Sequence, residues 1–186
     1  MITQTRFTSG RPVSLLTPES VTDALSLFEI LFDEGDDMAM GINGKMVKNQ
    51  NSMSMSSKVY FAGGGGLVST VDDYAKFAQM LANGGELNGQ RLLSPRTLQL
   101  MASVHIPASL PGRNAGEGYG LSVRVIEDAI AGNHRISDGS FGWSGVYGTH
   151  FWVDPQEDLI AVMMIQTPIR DMRPEFENAV MQAIVE

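Results

Sequence analysis

The chain has 186 residues, enough for one domain with a real core. Its 13 basic and 21 acidic side chains leave a net charge of -8, with no basic cluster to offset it, which argues against a nucleic-acid partner. Cysteine is absent, so disulfides, thiolate chemistry and Cys-type zinc sites are excluded, while the compartment stays open.

Residues 1–14 are polar, and the first ten carry no apolar signal-peptide core. Thr17-Pro18-Glu19 reads as a helix start: a hydroxyl cap, a proline at the first helical position and an acid at the positive end of the dipole. Val21, Leu25, Phe28 and Phe32, joined by Ala24 and Leu31, extend it as an apolar stripe up to Gly35. That stripe either docks on another body or packs on the chain's own core. Residues 36–57 show no clear period and are expected to form a long loop, whose methionines fill gaps or offer an adaptable binding surface.

Gly63 to Gly66 allow positive φ and close backbone approach, but Leu67-Val68-Ser69-Thr70 lacks the Gly-Lys pair of a phosphate loop. They lead into a helix capped by Ser69 or Thr70. Asp72 and Asp73 lie in its first turn, Tyr74, Phe77, Ala78 and Leu81 on its buried face, and Asn83-Gly84-Gly85 at its end. Ser94-Pro95 starts a second helix through Leu98, Leu100 and Met101. A loop over 107–118 precedes one expected strand from Tyr119 to Ile126, and 129–139 is a further loop.

Residues 140–166 have the pattern of a three-strand antiparallel meander. Phe141–Val146 and Thr149–Val153 are joined at Tyr147-Gly148, and Asp154 to Asp158 makes the next turn. The almost unbroken apolar run from Leu159 to Ile165 is expected to be covered on both faces and is far too short to span a membrane. After Pro174 a closing helix presents Phe176, Ala179, Val180, Ala183 and Ile184. The expected class is α+β, an antiparallel sheet flanked by helices.

Two ordered blocks carry a family resemblance. The first is Phe61-Ala62-Gly63-Gly64-Gly65-Gly66-Leu67-Val68-Ser69-Thr70-Val71-Asp72-Asp73-Tyr74-Ala75-Lys76-Phe77, followed by Leu92-Leu93-Ser94-Pro95. The second is Phe141-Gly142-Trp143-Ser144-Gly145, Gly148-Thr149, Phe151-Trp152-Val153-Asp154-Pro155 and the run from Leu159 to Gln166. Together they resemble the C-terminal part of the serine β-lactamase and penicillin-binding-protein superfamily, in the class-C-like branch that includes the family VIII esterases. The resemblance spans roughly Lys45 to the C-terminus and divides the chain into 1–60, an unmatched helix and loop, and 61–186, part of a β-lactamase/transpeptidase-like fold.

In that superfamily a serine of a Ser-x-x-Lys motif is the nucleophile and a Tyr-x-Asn or Tyr-x-Ser element assists proton movement. Three positions before Lys45, Lys48, Lys58 and Lys76 stand Ile42, Lys45, Met55 and Asp73; two after Tyr60, Tyr74, Tyr119 and Tyr147 stand Ala62, Lys76, Leu121 and Thr149. Neither motif is in this sequence, so no catalytic residue is assigned. Trp143-Ser144-Gly145 matches the third motif, with tryptophan as in the esterase branch. By resemblance, Trp143, Ser144, Gly145 and Val146 form a substrate-binding wall on an edge strand, the N–H of Val146 being one oxyanion donor and Gly145 keeping the approach open. Trp143 is otherwise a sheet aromatic filling the core.

Ser144, His150 and Asp154 are close in sequence, but strand alternation and the lack of a Gly-x-Ser-x-Gly elbow argue against a self-contained triad. His105, His134 and His150 lack metal-ligand spacing, so no metal and no cofactor is expected. The resemblance implies the C-terminal part of a serine hydrolase acting on a small ester or β-lactam, inactive alone. The alternatives are a non-catalytic peptide- or acyl-binding module on the same strand, or an interaction fragment in which the 17–33 helix replaces lost packing. A missing N-terminal portion would leave apolar faces uncovered, so a homo-oligomer or a need for a second polypeptide is expected.

Overall fold

The computed structural model describes residues 38–40, 46–48, 69–145, 148–165 and 172–184. The expected helix over 17–33 and the glycine run 63–66 lie outside them. Strands β1 (Met38–Met40) and β2 (Met46–Lys48) pair antiparallel, Met38 opposite Lys48. A hairpin therefore stands within the stretch read as a loop. The Asn43-Gly44 dipeptide between its strands is a hairpin signal that the absence of alternation obscured.

Helix α1 (Val71–Ala82) begins where the sequence directs. Thr70 Oγ1 accepts the N–H of Asp73 at 3.3 Å, and Asp73 Oδ1 accepts from Lys76 Nζ at 2.6 Å. Asp72 and Asp73 are thus first-turn acids. The helix ends at Asn83, and Gly84 and Gly85 follow with φ of +73° and +93°. A small hairpin, β3 (Glu86–Leu87) and β4 (Gln90–Arg91), closes through Asn88 and Gly89, both at positive φ, and was too short to carry a periodic signal. Helix α2 (Pro95–Met101) has Ser94 as cap, its Oγ accepting the N–H of Thr97 at 3.0 Å.

The central sheet is antiparallel, with spatial order β5 (Glu117–Tyr119), β6 (Arg124–Ile126), β7 (Phe141–Ser144), β8 (His150–Asp154) and β9 (Leu159–Met163). The single strand expected over 119–126 is a hairpin. Tyr119 pairs with Arg124, Gly120 N–H bonds the carbonyl of Val123, and Ser122 takes φ +64°. Gly120 allows this reversal because a side chain there would strike the carbonyl of Met101 at the end of α2. The expected meander is β7 to β9, with Phe141 opposite Val153 and Val153 opposite Ile160.

Alternation gives the sheet two apolar faces. On one, Val125, Phe141, Phe151 and Val153 pack with Ala78, Met80 and Leu81 of α1, and Tyr74, Phe77 and Phe151 meet edge to face at 5.1–6.1 Å. On the other, Ile126, Ile136, Trp152, Leu159 and Ala161 pack against Val180 of helix α3 (Met172–Gln182), with Phe176 edge-on to Trp152 at 5.5 Å. β9 therefore contributes to both cores, as its apolar run required. On α3 the inward residues are Phe176, Glu177 and Val180, whereas Ala179 is exposed. No helix of the described residues is long and apolar enough to cross a membrane.

Candidate functional site

Trp143, Ser144 and Gly145, expected to match the third motif, stand where β7 outruns β6. β6 pairs with β7 only through Arg124 opposite Gly142 and Val125 opposite Phe141. Beyond Gly142, no strand of the described residues lies on that side of Trp143, Ser144 and Gly145. β7 is the third of five strands, so the expectation of an edge strand is corrected: only its last residues form an edge, because β6 turns away at Val123. Val146 lies outside the described residues.

Phe141 and Trp143 point to the α1 face, Gly142 and Ser144 to the α3 face. Trp143 is 47% exposed and meets Tyr119 edge to face at 5.8 Å, while the guanidinium of Arg113 sits 3.9 Å over the Tyr119 ring. Trp143 is therefore a half-exposed surface aromatic rather than core filling. Gly142 is required by the sheet itself, since a side chain there would run into the backbone of Phe151 and Trp152. At Gly145 a side chain would instead meet Thr149 across the hairpin, where Gly145 N–H donates to the Thr149 carbonyl at 2.8 Å.

On the α3 face Ser144 lies directly opposite His150, and its hydroxyl is 2.9 Å from His150 Nδ1. Asp154, the third residue weighed with them, is elsewhere. It accepts the N–H groups of Ser137, Gln156 and Glu157 and holds the β8–β9 turn. The carboxylate near His150 comes from α3: Glu177 Oε1 lies 3.2 Å from His150 Nε2, too oblique for a hydrogen bond.

Glu177 belongs to a buried charge cluster. Arg124 Nη1 donates to Glu117 Oε1 at 2.8 Å, and its Nη2 to Glu177 Oε1 at 3.4 Å. His134 bridges the same carboxylates, Nε2 at 3.0 Å from Glu117 and Nδ1 at 3.5 Å from Glu177. Asn114 donates to Glu117 Oε2 at 2.7 Å, and Arg173 lies 3.5 Å from Glu117 and 3.8 Å from Glu177.

Burial alone would raise the Glu117 carboxyl. Hydrogen bonds from His134 and Asn114, with Arg124 and Arg173 nearby, outweigh it and hold the group at about 2. Glu177 is likewise opposed by burial, yet His134, His150 and Arg124 keep it well below the usual carboxylate range. His134 is raised, chiefly by its bond to Glu117 and then by Glu177, which favours its charged form. His150 is lowered: burial outweighs Glu177, and Arg124 and Arg173 add like-charge repulsion. Its uncharged form is thereby favoured, and its Nδ1 lies within hydrogen-bond distance of the Ser144 hydroxyl.

None of these charged groups was singled out as functional from the sequence. The available signal was Glu177, three residues before Val180 and four after Arg173 on a short amphipathic helix, where a charge on the inward face needs partners. His105 is separate, its ring bonded to the Leu100 carbonyl at 2.8 Å. Among the described residues, no three His, Asp or Glu side chains are grouped to hold a metal ion.

An antiparallel sheet covered by helices on both faces, with the third-motif segment emerging beside it, defines a β-lactamase/transpeptidase-like serine hydrolase fold. The Beta-lactamase family model matches residues 9–186, and the chain belongs to that family. The match begins well before Lys45, the approximate start of the resemblance read from the two blocks. The Mycobacterium tuberculosis protein Rv1367c is 35% identical over 113 residues, covering 55% of this chain and 28% of its own length. The solved structure of EstCE1, described as a hydrolase with promiscuous acyltransferase activity, aligns over 81% of this chain and 39% of its own at 24% identity and TM-score 0.60. Simvastatin synthase (LovD) from Aspergillus terreus aligns over 90% of this chain and 50% of its own at 19% identity and TM-score 0.69. The chain thus spans half or less of the length of these relatives.

Proposed function

We propose that the chain is the C-terminal part of a β-lactamase-family hydrolase and forms one wall of its acyl site, the family nucleophile and Tyr-x-Asn elements belonging to sequence outside these residues. The observation that carries this reading is the emergence of Trp143-Ser144-Gly145 past the end of β6, with Trp143 half exposed beside Tyr119. Backbone groups that no strand of the described residues pairs can take an extended acyl chain, and an aromatic wall suits its apolar part. Tryptophan in place of a base at position 143 and a net charge of -8 favour a neutral ester over a carboxylate-bearing β-lactam. The description of EstCE1 as a hydrolase with promiscuous acyltransferase activity supports acyl transfer as the reaction class.

The test is titration of the chain's tryptophan emission with neutral short-chain esters and with a penicillin. Trp152 is fully buried, so an emission change on binding comes from Trp143. A saturable change with esters, weaker with the penicillin and absent in Trp143→Phe, is expected. No saturable change, or the same change in Trp143→Phe, would overturn the reading.

A further inference from the structure

We propose that Ser144 is itself an activatable nucleophile, with His150 as its general base and Glu177 behind the ring, able to take an acyl group from a small neutral ester. This does not rest on the wall reading, because it uses only groups within this chain and needs no Ser-x-x-Lys serine. Ser144 is exposed whereas the His150 ring is buried, so the hydroxyl stands at the boundary where a substrate can reach it and the base behind it is shielded from water. The Ser144–His150 separation of 2.9 Å is already within proton-transfer reach. With Nδ1 accepting from Ser144, the proton of neutral His150 resides on Nε2, the nitrogen that faces Glu177 at 3.2 Å.

In the step, Ser144 Oγ bonds the ester carbonyl carbon as its proton passes to His150 Nδ1. The carbon–alkoxide bond then breaks, and the alkoxide leaves as an alcohol with that proton. Water, deprotonated by the same imidazole, cleaves the new ester to give a carboxylic acid and restores Ser144. The imidazolium formed in between meets Glu177 as its counter-charge. Arg124, Arg173 and His134 also face that carboxylate, and Glu117 lies behind them. These cations compete for Glu177 and shorten the life of the imidazolium, so the reaction is slow. It is best read as covalent labelling.

The test is incubation of the intact chain with an alkyl fluorophosphonate, followed by peptide mass mapping and labelling rates from pH 4 to 9. A single label on Ser144 is expected, absent in Ser144→Ala, a change at an exposed position that leaves the core intact. The rate rises with pH to a plateau, with its midpoint below the ordinary imidazole value of 6.5 because burial lowers His150. His150→Gln slows labelling on the order of 100-fold. If that buried variant does not fold, the wild-type pH profile decides: a plateau supports the proposal, and a rate that climbs with hydroxide throughout overturns it. No label, or a label on another serine, also overturns it.

Discussion

Glu117→Gln tests the buried charge cluster most directly, because it removes one charge and keeps the side chain's size. Glu117 is 3% exposed and faces Arg124, His134, Arg173 and Asn114. Its carboxyl is held at about 2 against an ordinary 4.5, and at about 1.36 kcal/mol per pH unit that gap is worth about 3 kcal/mol of folding free energy. A carboxylate with a depressed folded pKa contributes stability that is fully present above the unfolded value of 4.5. That contribution is lost as the pH falls towards about 2. His134 acts in the opposite sense: its folded pKa is raised, so its contribution is complete below 6.5 and fades as pH rises through the folded value. Wild-type stability should therefore be greatest between 4.5 and 6.5 as far as these two groups decide it. Urea unfolding followed by far-UV circular dichroism at pH 6, 4 and 3 measures this. Glu117→Gln should be less stable than wild type by about 3 kcal/mol at pH 6, with the difference shrinking steadily towards pH 3. A difference that stays the same at pH 6 and pH 3 would refute the ionic reading of the cluster and leave only a packing role for Glu117.

Two further outcomes are expected. Leu81 is 1% exposed between α1 and the sheet, so Leu81→Ala should lower stability by about 2–5 kcal/mol in the same urea experiment at pH 6, and a loss under 1 kcal/mol would mean that the site collapses around the gap. Leu110, Leu121, Trp143 and Ile130, the last 93% exposed, leave apolar surface uncovered, so light scattering at high concentration should detect species larger than one chain. A monodisperse monomer would count against self-association.

The elements that could be read without coordinates are those whose cause is local. Thr70 and Ser94 cap their helices because each hydroxyl lies three residues before the N–H it accepts, a relation contained within one turn of sequence. The β7–β9 meander was legible because alternation, a Pro-containing turn and a continuous apolar run all lie within 27 residues, the span 140–166. Family membership was legible because two motif blocks keep their residues in order. The strand expected over 119–126 failed because its apolar alternation continued across a reversal set by Gly120 against the end of α2 and by Ser122 at positive φ, neither of which leaves a periodic trace. The short hairpins β1–β2 and β3–β4 offered too few residues to show a period.

Local chemistry therefore carried the α+β class, the cap-and-proline helix starts and the family, and it marked Trp143-Ser144-Gly145 as the expected third motif. What surrounds those three residues follows from long-range pairing and packing. Strand pairing stops β6 short and turns the end of an interior strand into an edge. It sets Ser144 opposite His150, and packing of α3 on the sheet brings Glu177 to that pair and joins it to residues near 117, 124 and 134. Each of these charges looks like an ordinary solvated residue in its own neighbourhood. Burial ties them to partners up to tens of residues away, and beyond the inward-facing Glu177 no local pattern names those partners.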